Sequence, residues 1–358
     1  LTLIISGVKG VQQSYVSRHM LFKRFFFSTL GGTIFSAVLG IIMAYAGFGV
    51  WAIVFQQLSN NAIDTLILWI TVKWRPIKKF SWSRLKNLLS FGWKMLASSL
   101  LDTVYNNLRN MIIGKLYTSA DLAFYNQGDK FPKLIVTNIN TSIDSVLLPT
   151  MSNEQDNHVR VKDMTRRAIK ISTYIMAPLM IGLAFCAKPI VQIVLTDKWL
   201  PCVPYLQIFC ISYLFWPIHT ANLNAIKAMG RSDLFLKLEV IKKFIGMILL
   251  LITMNISVMA MAYSLLISGL ISQVINSWPN RYLLKYSYID QIKDILPNIV
   301  MALIMGVFVY FINYLNLSVL VSLILQIVLG GIIYMVLSIF TRNDSFRYLI
   351  TILKSRKG

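Results

Sequence analysis

Uncharged apolar runs, each long enough to cross a lipid bilayer, follow one another along this sequence and constrain its fold more than any other feature. From Phe25 to Ala46 there are 22 residues without a charge. As a helix rising about 1.5 Å per residue, that run spans ~33 Å, the thickness of the hydrocarbon core. Further runs lie near 50–72, 90–113, 125–149, 169–187, 203–228, 238–254, 258–278, 298–315 and 317–340. Lipid offers no water to satisfy the backbone of an open strand, so all are expected to be helices. The expected fold is all-α, a polytopic transmembrane helical bundle of about ten spans. Composition agrees, with 56% hydrophobic and only 14% charged residues. The gaps are short, and none leaves room for a folded extramembrane domain. Turn signals such as Gly47-Phe48-Gly49 separate neighbouring runs. Leu1 to Gly7 read as the last turns of a helix that begins earlier, so the chain is expected to be a fragment lacking an N-terminal part.

The distribution of basic residues orients this map. Most of the 35 Lys and Arg fall in alternate connections. They are Arg18 to Arg24, Lys73 to Lys86, Arg160 to Lys170, Arg231 to Lys243, Arg281 to Lys293, and the tail from Arg342. The opposite connections hold only Lys115, Lys188 and Lys198. By the positive-inside rule the basic side is cytoplasmic, which puts both ends of the chain there. Basic loops beside anionic headgroups also account for the net charge of +21 without nucleic acid, for which there is no binding motif. Membrane lipids are the expected partners of these loops. Trp51, Trp69, Trp93 and Trp278 fall near span ends, where an amphipathic ring suits the interface.

No chemistry of catalysis stands out. Cys186, Cys202 and Cys210 form no CxxC pair and read as small hydrophobes, and the three histidines lack metal-ligand spacing. No metal or cofactor is expected. There is no phosphate-binding GxxxxGK[ST] loop and no large extramembrane loop, so an enzyme is not expected either.

Polar residues inside spans are costly and therefore informative, since each must face a packed interior or a watery cavity. In the third span Asp102, Asn106, Arg109 and Asn110 recur at steps of three and four, sharing one helical face. In the fourth, Asn126, Asp129, Lys130, Lys133, Thr137, Asn140, Thr141 and Asp144 do the same for almost its whole length. Two such stripes predict a hydrated cavity suited to an anionic, hydroxyl-rich ligand. Arg109, Lys130 and Lys133 are the candidates for a diphosphate, and Asn106, Asn110 and Asn140 for sugar. Asp102 and Asp129 share the same faces, and closed pairs Asp102–Arg109 and Asp129–Lys133 are the structural alternative. Asp64, beside Asn60 and Asn61, is either a protonatable coupling group or a satisfied packing carboxylate. Trp216, Pro217 and His219 mark a break in the sixth span. Lys227 is expected to snorkel.

The segment Tyr45-Ala-Gly-Phe-Gly-Val-Trp-Ala-Ile-Val-Phe-Gln-Gln57, then Trp74-Arg-Pro76, Phe80-Ser81 and Phe91-Gly92, resembles the Wzx-type bacterial polysaccharide flippases. So do Ile113-Gly-Lys115, Ala123-Phe-Tyr-Asn126 and the stretch from Leu148-Pro149 to Ser152. The similarity runs from about Arg18 to Arg231 and more diffusely to the C-terminus. It implies a MATE-like two-lobe flippase fold of the MOP exporter superfamily. On that pattern residues 1–72 are the end of the first lobe, 73–89 a basic cytoplasmic linker, 90–280 the second lobe, and 281–358 an additional helix pair with a basic tail. The resemblance also implies a function, translocation of undecaprenyl-diphosphate-linked oligosaccharide across the bacterial inner membrane, and other polysaccharide assembly proteins as partners. A multidrug exporter of the same superfamily would favour an acidic, aromatic cavity. A membrane-embedded glycan polymerase would need larger loops, and a passive assembly subunit would not need two polar stripes.

Overall fold

A computed structural model describes residues 2–18, 22–75, 81–315 and 317–355, apart from the side chains of some helical residues. Every regular element among them is a helix. They form two compact units, 1–93 and 94–358.

The first unit contains α1 (Thr2–Arg18), α2 (Phe22–Tyr45) and α3 (Val50–Thr71). The turn from α2 to α3 needs positive φ at two places, and both are glycines: Gly47 at +81° and Gly49 at +54°. Small residues then let the two helices pack closely without a hydrophobic driving force. A Cβ on Gly32 would lie 3.0 Å from the Asn60 carbonyl oxygen, and one on Gly40 would lie 3.1 Å from the Gln56 side chain. Phe26, Phe27, Ile34, Ile41 and Ile42 of α2 remain exposed, as a lipid-facing surface requires. Buried Gln12 of α1 donates to the Trp74 carbonyl at 3.2 Å, and the Tyr15 ring stacks on that of Trp74 at 5.3 Å.

In chain order α4 (Trp82–Leu116), α5 (Ser119–Asn153), α6 (His158–Phe185) and α7 (Ala187–Leu195) follow, then a 3-10 turn over Asp197–Cys202. Next come α8 (Val203–Leu214), α9 (Trp216–Ala228), α10 (Ser232–Thr253) and α11 (Val258–Leu283). The last are α12 (Tyr288–Phe311), a 3-10 turn over Ile312–Leu315, α13 (Val319–Phe340) and α14 (Asp344–Ser355). The second unit is built around α6, which packs on α5, α8, α9 and α12. Its Met176, Ala177, Met180 and Ile181 meet Leu206 and Phe209 of α8 and Met301, Ala302 and Met305 of α12 in one apolar core.

Polar ties lock these helices in register. Asn222 of α9 donates to Gln291 of α12 at 2.7 Å and accepts from Asn280 of α11 at 2.6 Å, while Ser277 donates to Gln291 at 3.0 Å. All four residues are fully buried, where an unmet polar group would be expensive. Near the starts of α6 and α12, Arg166 holds Asp294 through two bonds of 2.7 and 2.8 Å, and Tyr286 adds a third of 2.8 Å. Lys170 reaches Asp344 of α14 at 3.1 Å.

A helix occupies each of the ten expected spans. By length and apolar composition, however, six stretches among the described residues qualify as membrane-crossing: Lys23–Tyr45, His158–Phe185, Asp197–Ala228, Val258–Leu283, Tyr288–Leu315 and Val319–Phe340. Of the helices at the ten expected spans, those outside that set are α3, α4, α5 and α10, and each carries Asn, Asp, Lys or Arg within its length. Their polar residues lower the hydropathy of these helices. The chain is a multi-pass membrane protein with an all-helical bundle fold.

Close packing of α5 on α8 depends on Gly128, where a Cβ would lie 2.6 Å from Tyr205 Cβ and 2.9 Å from the Leu206 backbone nitrogen. Gly128→Ala is expected to cost about 1–3 kcal/mol and to lower the thermal unfolding midpoint of the detergent-solubilised protein. Gly331→Ala enters open space and should not lower it.

Candidate functional site

Six helices of the second unit, α4, α5 and α8 to α11, enclose a cavity of about 770 Å³. Residues along α5 that share one helical face reach it in turn: Asn126, Asp129, Lys133 and, further along, Asp144. Opposite them the chain is broken between α8 and α9. Pro217 sits in the first turn of α9, where its missing N–H costs least, and Phe215 joins the two helices. Tyr213, Trp216, His219, Thr220 and Asn224 then face the cavity across the break.

The charges in this cavity are tethered. Asp129 accepts a 2.6 Å bond from the Tyr213 hydroxyl and pairs with Lys133 at 3.5 Å. Asp144 accepts from Asn224 at 2.6 Å, and Glu239 of α10 accepts from Lys242 at 2.6 Å. Arg109 of α4 reaches across to α11, where it donates to the Met261 carbonyl and to Ser264 Oγ at 2.9 Å. That carbonyl also accepts the Ser264 hydroxyl at 2.8 Å, so the guanidinium joins a hydrogen-bonded site on α11 through a charge-assisted bond. The Lys133 side chain is 64% exposed, so its ammonium remains available to a ligand despite the contact with Asp129. Lys227 lies 4.6 Å over the Phe235 ring and, with Lys242 and Lys243, brings further positive charge to the lining. Cationic residues outnumber acidic ones there, and each acidic group already has a partner.

Of the residues expected from sequence, Arg109, Asn110, Asp129 and Lys133 line this cavity. Lys130 is exposed and Asn140 buried, and neither is part of the lining. The side chains of Asp102 and Asn106 lie outside the described residues, and so does the alternative pairing of Asp102 with Arg109. The other alternative, Asp129 with Lys133, is present as a loose pair that leaves the lysine accessible. Asp64 belongs to the first unit, where it is 2% exposed and paired with Lys9 of α1 at 2.5 Å. Sequence reasoning missed Lys9, which is separated from Asp64 by 55 positions, and it placed Lys242 and Lys243 only among the basic connections. The aromatic wall of α8 and α9 was legible only as an apolar run with a break, although its residues recur at helical spacing. A second, shallower depression of about 500 Å³ lies at the turn from α5 to α6, between Asn153 and Val159. It is formed by one surface turn. Among the described residues no group of His, Cys, Asp and Glu could hold a metal ion.

Comparison with known proteins agrees with this architecture. Residues 1–204 match a family described as polysaccharide biosynthesis protein. The chain is similar to the teichuronic acid biosynthesis protein TuaB of Bacillus subtilis (strain 168), with 24% identity over 311 residues, covering 85% of this chain and 64% of that protein. It is also similar to the lipopolysaccharide biosynthesis protein WzxC of Escherichia coli (strain K12), with 25% identity over 322 residues, 88% of this chain and 63% of that protein. It thus spans a little under two thirds of either relative. Among solved structures, the lipid II flippase MurJ in an inward closed conformation shares the fold, with a TM-score of 0.76 at 18% identity over 96% of this chain and 72% of that one. The Wzx-type resemblance seen in the sequence is borne out by these matches.

The Lys9–Asp64 pair is directly testable. Lys9→Ala leaves a buried carboxylate without its counter-charge and should destabilise the first unit by about 3–5 kcal/mol. Lys9→Met combined with Asp64→Leu should recover most of that loss in a thermal unfolding assay. Equal loss in the single and double variants would show that the pair contributes nothing specific.

Proposed function

We propose, from the premise that the chain belongs to the polysaccharide biosynthesis protein family, that it takes part in moving an undecaprenyl-diphosphate-linked oligosaccharide across the bacterial inner membrane. The observation that carries this reading is the polar cavity, about 770 Å³ and lined by Arg, Lys and amide side chains among others, within a unit that also holds stretches long and apolar enough to cross a bilayer. Moving such a lipid requires a charged, hydrated headgroup to pass hydrocarbon while its tail stays in lipid. Side chains that replace water around phosphate and hydroxyls lower that barrier. Arg109 and Lys133 suit the diphosphate, with Lys130 as a further, exposed cation on the same helix as Lys133. Asn110 suits sugar hydroxyls.

Two further features support the reading over export of cationic drugs. Cations outnumber carboxylates in the lining, and Asp129, Asp144 and Glu239 are bonded to Tyr213 and Lys133, to Asn224 and to Lys242 respectively. A cationic drug would have to displace those partners. The role is that of a transporter and not of an enzyme. The basic connections face the cytoplasm, as the positive-inside rule requires, and alternating access about the basic segment 73–89 would expose the cavity to each leaflet in turn. Asp64, paired with Lys9, is the candidate coupling group.

Lys133 is the best residue to test, because it is exposed to the cavity and contributes little to packing. In cells that depend on the full-length protein for surface glycan, Lys133→Ala should reduce glycan by about tenfold or more, the equivalent of one lost charge-assisted bond. Protein level in the membrane should be unchanged, and Lys133→Arg should retain most export. Normal glycan in Lys133→Ala cells would contradict the assignment.

A further inference from the structure

We propose that Trp216 is a stacking platform for a sugar ring, and that Asn276 and Ser212 beside it bind the hydroxyls of that ring. The proposal rests on the translocation reading and adds a subsite for neutral sugar, distinct from the cations of α4 and α5.

The break between α8 and α9 places Trp216 on the cavity wall with 41% of its surface exposed, while Tyr213 next to it is 8% exposed. The exposed part of this indole is apolar surface open to the cavity. It is also held still. Its ring packs edge-on against Tyr213 at 5.4 Å and lies 5.9 Å from the His219 ring. Tyr213 in turn stacks on Phe209 at 6.4 Å and is anchored by its bond to Asp129. His219 is fixed by a 2.8 Å bond to Asn276 of α11. A platform ordered in this way loses little entropy when a ligand settles on it.

Polar groups without partners line the same cavity as the open ring. Asn276 is fully buried, and its Oδ1 has no hydrogen-bond partner within the protein. Ser212 Oγ, on the same wall one helical turn before Trp216, likewise has none. A buried polar atom left unmet costs about 1–3 kcal/mol, and both belong to residues that line the cavity, so a small shift of the wall lets a ligand hydroxyl satisfy them. A pyranose matches the pair of features. Its C–H face is apolar and carries partial positive charge toward the negative face of an indole, and its rim of hydroxyls both donates and accepts. An isoprenoid tail would use the indole but not the polar atoms, and a phosphate would do the reverse.

The test compares two probes on the purified full-length protein: undecaprenyl diphosphate carrying one glucose, and undecaprenyl diphosphate without sugar. Wild type should bind the glucosylated lipid more tightly. Trp216→Ala should weaken that binding by about tenfold and change affinity for the sugar-free lipid by less than about twofold, while Trp216→Phe keeps most of the preference. Equal weakening toward both lipids would overturn the proposal by assigning Trp216 to packing or to the lipid tail. No change in Trp216→Ala, or no preference in wild type, would overturn the platform and leave translocation standing. Wild type that binds neither lipid would overturn both readings.

Discussion

A bilayer core has no water to offer, and most of this structure follows from that. Each backbone polar group in a span must bond within the chain, which makes every regular element among the described residues a helix. Side chains obey the same constraint. Asn222, Ser277, Asn280 and Gln291 are buried as a bonded set, and Asp64 is buried only with Lys9 against it. Other polar side chains are turned toward a cavity. The α5 stripe is the clearest case, since it carries Asn126, Asp129, Lys133 and Asp144 along one face over several turns. Helix association alone would need only two or three such contacts.

The span positions were legible because apolar length is a property of local sequence, and the turn at Gly47 and Gly49 because positive φ selects glycine. The α5 stripe was legible as a periodicity. Its fine structure was not. Lys130 follows Asp129 by one residue, a rotation of about 100° around the helix, which is enough to carry it off the cavity lining. Asn140 keeps the spacing but meets packed neighbours, and only the fold decides that. Pairings between distant segments, such as Lys9 with Asp64 or Arg109 with α11, have no local signature at all. Nor did the charged first half of α10 announce itself, because basic residues near a span end read equally well as a cytoplasmic loop.

The aromatic wall shows a further limit. Phe209, Tyr213, Trp216 and His219 lie at steps of three and four, and a run of that kind in an apolar segment normally means core. Three of them are largely covered, whereas Trp216, at the break before Pro217, keeps 41% of its surface exposed. Composition does not distinguish such an open aromatic from a packed one. Cations on α4 and α5 and an indole on α9 then face one space, which offers separate chemistry to the charged and uncharged parts of one ligand.

Translocation itself can be measured in vesicles reconstituted with the full-length protein and undecaprenyl-diphosphate-linked sugar in both leaflets, with a membrane-impermeant glycosidase added outside. Without movement between leaflets, the enzyme removes sugar only from the outer pool, roughly half of the total. The account predicts that vesicles containing the protein lose nearly all of their lipid-linked sugar while remaining sealed. A plateau at the same half as in protein-free vesicles would contradict it.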